Sequence, residues 1–172
     1  GEPWFAMEIV DGQPITAHSE QHALDVRARV RIFAAACDAV RYAHGHHVVH
    51  RDLKPSNLLV DADGSVKLLD FGIAQVLEAG EGTDAAEQEH TRTEFRALTP
   101  EYAAPEQVRG EPCTPATDVY ALGAILYELL AGRKAQPIDR GASPTAVERA
   151  ICERSPASLP PIARAVGRRV DI

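Results

Sequence analysis

The 172 residues are 45% hydrophobic and 25% charged, an ordinary composition for a soluble globular chain and enough to close one core. A formal charge of −7 argues against a nucleic-acid binder, which needs clustered Lys and Arg to displace phosphate counterions. Three widely spaced cysteines, Cys37, Cys113 and Cys152, form no disulfide framework and fit a reducing, cytoplasmic compartment as packed or surface thiols.

The opening Trp4-Phe5-Ala6-Met7-Glu8-Ile9-Val10 is a short apolar strand signal, and Asp11-Gly12 after it favours a turn. Gly1 stands first with neither a Met nor a charged-then-apolar leader, so a true start upstream is expected. From about Leu24 to His44, the residues Val26, Val30, Phe33, Cys37 and Val40 recur at steps of three and four, which predicts one long amphipathic helix. Arg27, Arg29 and Arg31 alternate on that helix, share no face and read as solvated surface. The run His44-Gly45-His46-His47 at its end has no Cys or carboxylate set to complete a ligand shell, so no metal site is assigned there.

Two apolar segments, Leu58-Leu59-Val60 and Val66-Lys67-Leu68-Leu69, flank Asp61-Ala62-Asp63-Gly64-Ser65 and predict a two-stranded hairpin. Antiparallel pairing brings Asn57 before the first strand close to Asp70 after the second. Gln75 to Ala97 is polar and acidic without a hydrophobic period and reads as a mobile loop. Thr117 to Ala131 is apolar on nearly all sides through Val119, Leu122, Ile125, Leu126, Leu129 and Leu130, which predicts a buried helix stopped by Gly132. Its apolar part, Val119 to Ala131, includes Glu128 and is too short for a bilayer of roughly 30 Å. Ser143-Pro144-Thr145 opens a further short helix through Ala146 to Cys152, and Ser155-Pro156 to Pro160-Pro161 returns to loop.

The segment that carries chemistry is His50-Arg51-Asp52-Leu53-Lys54-Pro55-Ser56-Asn57, followed across the hairpin by Asp70-Phe71-Gly72. Ala104-Pro105-Glu106 and Asp118-Val119-Tyr120-Ala121-Leu122-Gly123 come after it. Any one of these fragments is a weak signal; all of them in this order are not. The series resembles the catalytic loop, metal-binding loop and following elements of eukaryotic-type protein kinases, over roughly Trp4 to Cys152. Asp-Leu-Lys-Pro-Ser-Asn and Thr99-Pro100-Glu101-Tyr102 look like the Ser/Thr branch, and Thr145 to Glu153 looks like its bacterial members.

The resemblance implies an α+β fold: a mostly helical large (C-terminal) lobe with a short β-hairpin at the active site, the small lobe being absent from this chain and expected upstream. Residues 1–12 then hold the last small-lobe strand and hinge, 13–155 the large lobe and 156–172 a divergent or truncated tail. It implies Mg²⁺-dependent transfer of the ATP γ-phosphoryl to Ser/Thr hydroxyls of protein substrates. Asp52 is the proton acceptor, Lys54 the cation at the transferred group, and Asn57 and Asp70 the oxygen ligands that a hard cation prefers. Met7 is the gatekeeper, Glu8 and Val10 offer backbone to adenine, and Leu59 lies under it. Thr99 contacts Asp52 and Lys54. His50 and Phe71 belong to the hydrophobic column, while Asp118 anchors the catalytic loop. Arg51 is a partner for a phosphate on the activation loop, where Thr83, Thr91 and Thr93 are candidates and the latter two are favoured.

Some positions depart from that pattern. Leu98 stands where Gly is common, Glu106 lacks a clear arginine partner other than Arg168 or Arg169, and the chain contains no Gly-x-Gly-x-x-Gly and no Val-Ala-Ile-Lys. Weak nucleotide binding and little transfer are therefore expected of the chain alone. A noncatalytic kinase-like scaffold is the alternative, although a scaffold has no physical need for Asp52, Lys54, Asn57 and Asp70 together.

Overall fold

The computed structural model describes residues 9–70, 99–139 and 141–159. Strand β1 (Gly12–Pro14) leads directly into helix α1 (Ile15–Gln21), and the long helix α2 spans Val26–Gly45. A 3₁₀ turn at Pro55–Asn57 precedes strands β2 (Leu58–Asp61) and β3 (Val66–Leu68). Helices α3 (Pro105–Val108), α4 (Pro115–Ala131) and α5 (Pro144–Glu153) complete the order.

The expected hairpin is present, with Leu58 opposite Leu68 and Val60 opposite Val66, but it belongs to a three-stranded antiparallel sheet ordered β1-β2-β3. Gly12, read from the sequence as a turn residue, is instead paired with Asp61 in β1. Close approach explains the glycine: a Cβ at Gly12 would stand 2.9 Å from the Val60 carbonyl oxygen. Helix α1 was not legible, because seven residues with only Ile15 and Ser19 buried present too little periodicity.

Helix α2 starts where Asp25 accepts the Ala28 N–H at 2.8 Å as an N-cap. Its buried residues are Ala36, Val40 and Ala43; Val30, assigned to the apolar stripe, is 43% exposed. Arg29 is more than solvated surface, since Nη1 donates to the Leu129 carbonyl at 2.6 Å and Nε to that of Leu24 at 2.8 Å. That guanidinium ties the start of α2 to the end of α4.

Helix α4 is capped by Thr114, whose hydroxyl accepts from Ala116, and ends at Gly132 in the left-handed region at φ 67°. It is buried along Thr117, Asp118, Ala121, Leu122, Ala124, Ile125 and Leu129, as a central helix should be. Val119 is a correction, at 61% exposed: the helix has a solvent side despite its composition. The main core gathers Ile15, Val40, Leu53, Leu58, Val60, Ile125 and Leu129 from α1, α2, the loop before the 3₁₀ turn, the sheet and α4. Full burial of each large aliphatic side chain contributes about 1.5–3 kcal/mol. Helix α5, capped by Ser143, packs Val147 and Ile151 into a second cluster with Ala103 just before α3.

Candidate active site

The loop from His50 to Asn57 is held between α4 and the hairpin. From α4, the buried Asp118 carboxylate accepts the His50 N–H on Oδ2 at 2.8 Å and the Arg51 N–H on Oδ1 at 2.9 Å. His44, at the end of α2, donates Nε2–H to the same Oδ2 at 2.7 Å. From the hairpin, the Leu69 carbonyl accepts from Nε2 of the fully buried His50 at 2.7 Å, which makes Nε2 the protonated nitrogen. Nδ1 accepts the Asp52 N–H at 3.3 Å. One imidazole thus connects the backbone at Asp52 to the residue before Asp70.

Within the loop, Lys54 Nζ donates to Asp52 Oδ2 at 2.5 Å, both side chains being partly exposed. Asn57, 4% exposed, donates Nδ2–H to the Asp52 carbonyl at 2.9 Å. Its backbone carbonyl accepts the Leu69 N–H at 2.9 Å, which brings the two ends of the hairpin together. Asp70 follows with an exposed side chain and φ of 52°, a left-handed conformation unusual outside glycine. The Asn57 side-chain oxygen accepts a long hydrogen bond from the Ser56 hydroxyl at 3.4 Å and has a second lone pair for a further partner. Together with the Asp70 carboxylate, that neutral oxygen makes a donor set suited to Mg²⁺.

Arg51 is likewise in the left-handed region, at φ 70°. Thr99, Arg51 and Asp52 line one small cavity with Tyr102, Gln107, Thr117 and Asp118. The Thr99 carbonyl accepts the Tyr102 N–H at 3.0 Å, and Tyr102 Oη donates to Glu128 at 2.6 Å. Burial first, then that hydrogen bond and the nearby Glu128 and Glu101 charges, push the Tyr102 phenol well above its ordinary range. Lys134 Nζ sits 5.0 Å over the Tyr102 ring and pairs with Glu101 at 2.8 Å.

The structure joins Asp52, Lys54 and Asn57 directly and Asp70 through the paired strands. Leu59, half-buried in β2, faces Pro14 and Lys67 across the sheet and brings its Cβ against Gly12; Val10 lies just before β1. Met7, Glu8, Phe71, Gly72, Thr83, Thr91, Thr93, Leu98, Arg168 and Arg169 lie outside the described residues. Two residues passed over in the sequence take part in holding the site. Thr117 donates to Glu106 Oε1 at 2.6 Å, and Gln107 donates Nε2–H to the Arg51 carbonyl at 2.6 Å. Their sequence signal is only adjacency to Ala104-Pro105-Glu106 and Asp118.

A central helix whose carboxylate fixes the loop before a short hairpin is the large-lobe architecture of a protein kinase. The comparison of sequences agrees: residues 2–158 match the family described as protein kinase domain, and the chain belongs to that family. Serine/threonine-protein kinase PknB of Mycobacterium tuberculosis (strain ATCC 25618 / H37Rv) is 36% identical over 172 residues, covering 99% of this chain and 26% of that protein. PknB of Mycolicibacterium smegmatis is 39% identical over 148 residues, 84% of this chain and 22% of that protein. A probable PknB of Lactococcus lactis subsp. lactis is 39% identical over 133 residues, 77% of this chain and 20% of that protein. The chain therefore spans about a quarter or less of the length of these curated relatives, at 20–26%. No described helix is long and apolar enough to cross a membrane.

Proposed function

We propose that this chain is the large-lobe part of a serine/threonine protein kinase acting on protein substrates in the cytoplasm. In this reading residues 1–12 are the last small-lobe strand and hinge, 13–155 form the large lobe and 156–172 are a divergent or truncated tail. The observation that carries it is the arrangement of Lys54 Nζ on Asp52 Oδ2 at 2.5 Å and Asn57 Nδ2 on the Asp52 carbonyl at 2.9 Å. A carboxylate held this way accepts the proton of a substrate hydroxyl as its oxygen bonds to the γ-phosphorus and the bond to the departing ADP breaks. Lys54 offsets charge on the transferred group. Asn57 and Asp70 hold Mg²⁺, which when bound neutralises charge on the ATP phosphates.

Adenine lies over Leu59, with backbone partners at Glu8 and Val10 and Met7 as gatekeeper. Thr99 stands on the acceptor side, and Arg51 pairs with a phosphate on Thr91 or Thr93. The chain contains no Gly-x-Gly-x-x-Gly to cover the phosphates, so weak nucleotide binding and little transfer are proposed for it alone.

Two measurements test this reading. Calorimetric titration with Mg·ATP compares the chain with Asp70→Asn, with loss of binding expected in the variant. Transfer from γ-labelled ATP to a Ser/Thr-containing protein is then followed with a relative's small lobe joined before Gly1. Asp52→Asn is expected to slow turnover by roughly 10²–10⁴-fold. Nucleotide binding with no transfer in the joined protein would refute the kinase reading in favour of a scaffold.

A further inference from the structure

The peptide unit joining Arg51 to Asp52 is gripped at both ends. Its N–H, on Asp52, donates to His50 Nδ1 at 3.3 Å, and its C=O, on Arg51, accepts from Gln107 Nε2 at 2.6 Å. The preceding peptide N–H, on Arg51, is fixed by Asp118 Oδ1 at 2.9 Å. Arg51 needs such restraint, because its φ of 70° is a conformation that a side chain with a Cβ adopts only when its surroundings over-determine it. Asp118 and His50 hold amide hydrogens on either side of Arg51, while Gln107 holds the carbonyl between them.

Gln107 is itself held. Its Oε1 accepts the Ala104 N–H at 3.0 Å, so the amide group spans from the start of α3 to the catalytic loop. Ala104 ends the segment that begins at Thr99, and the Ala103 N–H is bonded within it to the Pro100 carbonyl at 3.3 Å. Thr99 and Gln107 also line the same cavity as Asp52. A shift of the Thr99–Ala104 segment is therefore transmitted through one rigid amide to the peptide that carries Asp52. The Gln107 amide carries a donor and an acceptor on one planar group, so it donates to one backbone carbonyl while accepting from another backbone N–H.

We infer that Gln107 is a positioning residue: it fixes the Arg51–Asp52 peptide plane, and hence the direction of the Asp52 carboxylate, to the segment on the acceptor side. The catalytic part of this inference rests on the kinase reading above; the mechanical part does not. Gln107→Met removes both hydrogen bonds at nearly constant volume. Gln107→Glu keeps the acceptor for Ala104 but has no donor for the Arg51 carbonyl.

Amide hydrogen exchange by NMR on the 172-residue chain separates the two variants. The amide of Asp52 is expected to exchange roughly three- to tenfold faster in both, the range for one lost hydrogen bond. The amide of Ala104 is expected to accelerate only in Gln107→Met, and those of Ala121 to Leu129 in neither. Wild-type exchange at Asp52 in Gln107→Glu would overturn the inference; so would equal acceleration throughout α4, which marks general loosening. With a relative's small lobe joined, both variants should lose turnover three- to tenfold at an unchanged KM for Mg·ATP, by about the same lost hydrogen bond. An unchanged turnover overturns the positioning role. If the unsubstituted joined protein transfers no phosphate, the kinase reading fails, whereas the exchange pattern still decides the clamp.

Discussion

The Thr117 hydroxyl donates to Glu106 Oε1 across 2.6 Å and accepts the Thr114 N–H at 3.0 Å. One buried oxygen thus fixes the start of α4 and joins it to α3. Since α3 reaches the catalytic loop through Gln107 and α4 reaches it through Asp118, the three elements close a ring of hydrogen bonds. Thr117→Val keeps the shape and removes both bonds, leaving the Glu106 carboxylate short of a donor. A loss of about 1–3 kcal/mol is expected in urea unfolding, and Thr117→Ser should recover most of it. Equal stability of the valine and serine variants would contradict the assignment.

Asp118 accepts from His50, Arg51 and His44 while being 1% exposed. Asp118→Ala strands all of these donors and should cost about 3–5 kcal/mol, seen as a large fall in the denaturation midpoint. Amide exchange at Arg51 should accelerate before that of the β2–β3 pairs. Retention of Arg51 protection in the variant would show that the carboxylate is not what holds the loop.

Tyr102 makes stability depend on alkaline pH. Burial and the bond to Glu128 raise its phenol above the ordinary 10.0, so the folded chain binds that proton more tightly than the unfolded chain. The stabilisation is fully present below the unfolded value and declines as the pH rises past it. Stability measured at pH 9 and at about pH 11 should therefore fall more steeply in the native chain than in Tyr102→Phe. Parallel pH profiles for the two proteins would exclude this source of stability.

Gly12 is expected to tolerate no side chain, because the nearest atom to an added Cβ is the backbone oxygen of Val60 at 2.9 Å. Gly12→Ala should lower stability by about 1–3 kcal/mol through displacement of β1 from β2. Gly64→Ala, at φ 80° with open space around it, provides the comparison: strain without a clash, expected to cost about 1 kcal/mol. A cost at Gly12 no larger than that at Gly64 would mean that β1 shifts freely.

Much of the scaffold was legible because it is locally encoded. The apolar periods marked α2 and α4, Gly132 marked the end of α4, and Ser143-Pro144 marked the start of α5. The loop from His50 to Asn57 was recognisable as a family motif for another reason: the chemistry proposed for it requires particular side chains at short, fixed intervals. Four readings went astray. Gly12 pairs with Asp61 and Arg29 reaches Leu129 through distant interactions, while Val30 and Val119 are exposed on helices whose apolar pattern signals burial.

By itself the sequence determined the chemical inventory, with Asp52, Lys54, Asn57 and Asp70 in an order that specifies the family, and the helices that have a period or a cap to announce them. Asp118 was expected to anchor the loop, and it does. Tertiary structure alone decided the rest of how Asp52 is held: the His50 imidazole bridging from the Asp52 N–H to the Leu69 carbonyl, and the amide of Gln107 on the Arg51 carbonyl. A hydrogen bond depends on direction and a distance near 3 Å, and neither is encoded by the identity of one partner until the chain has folded.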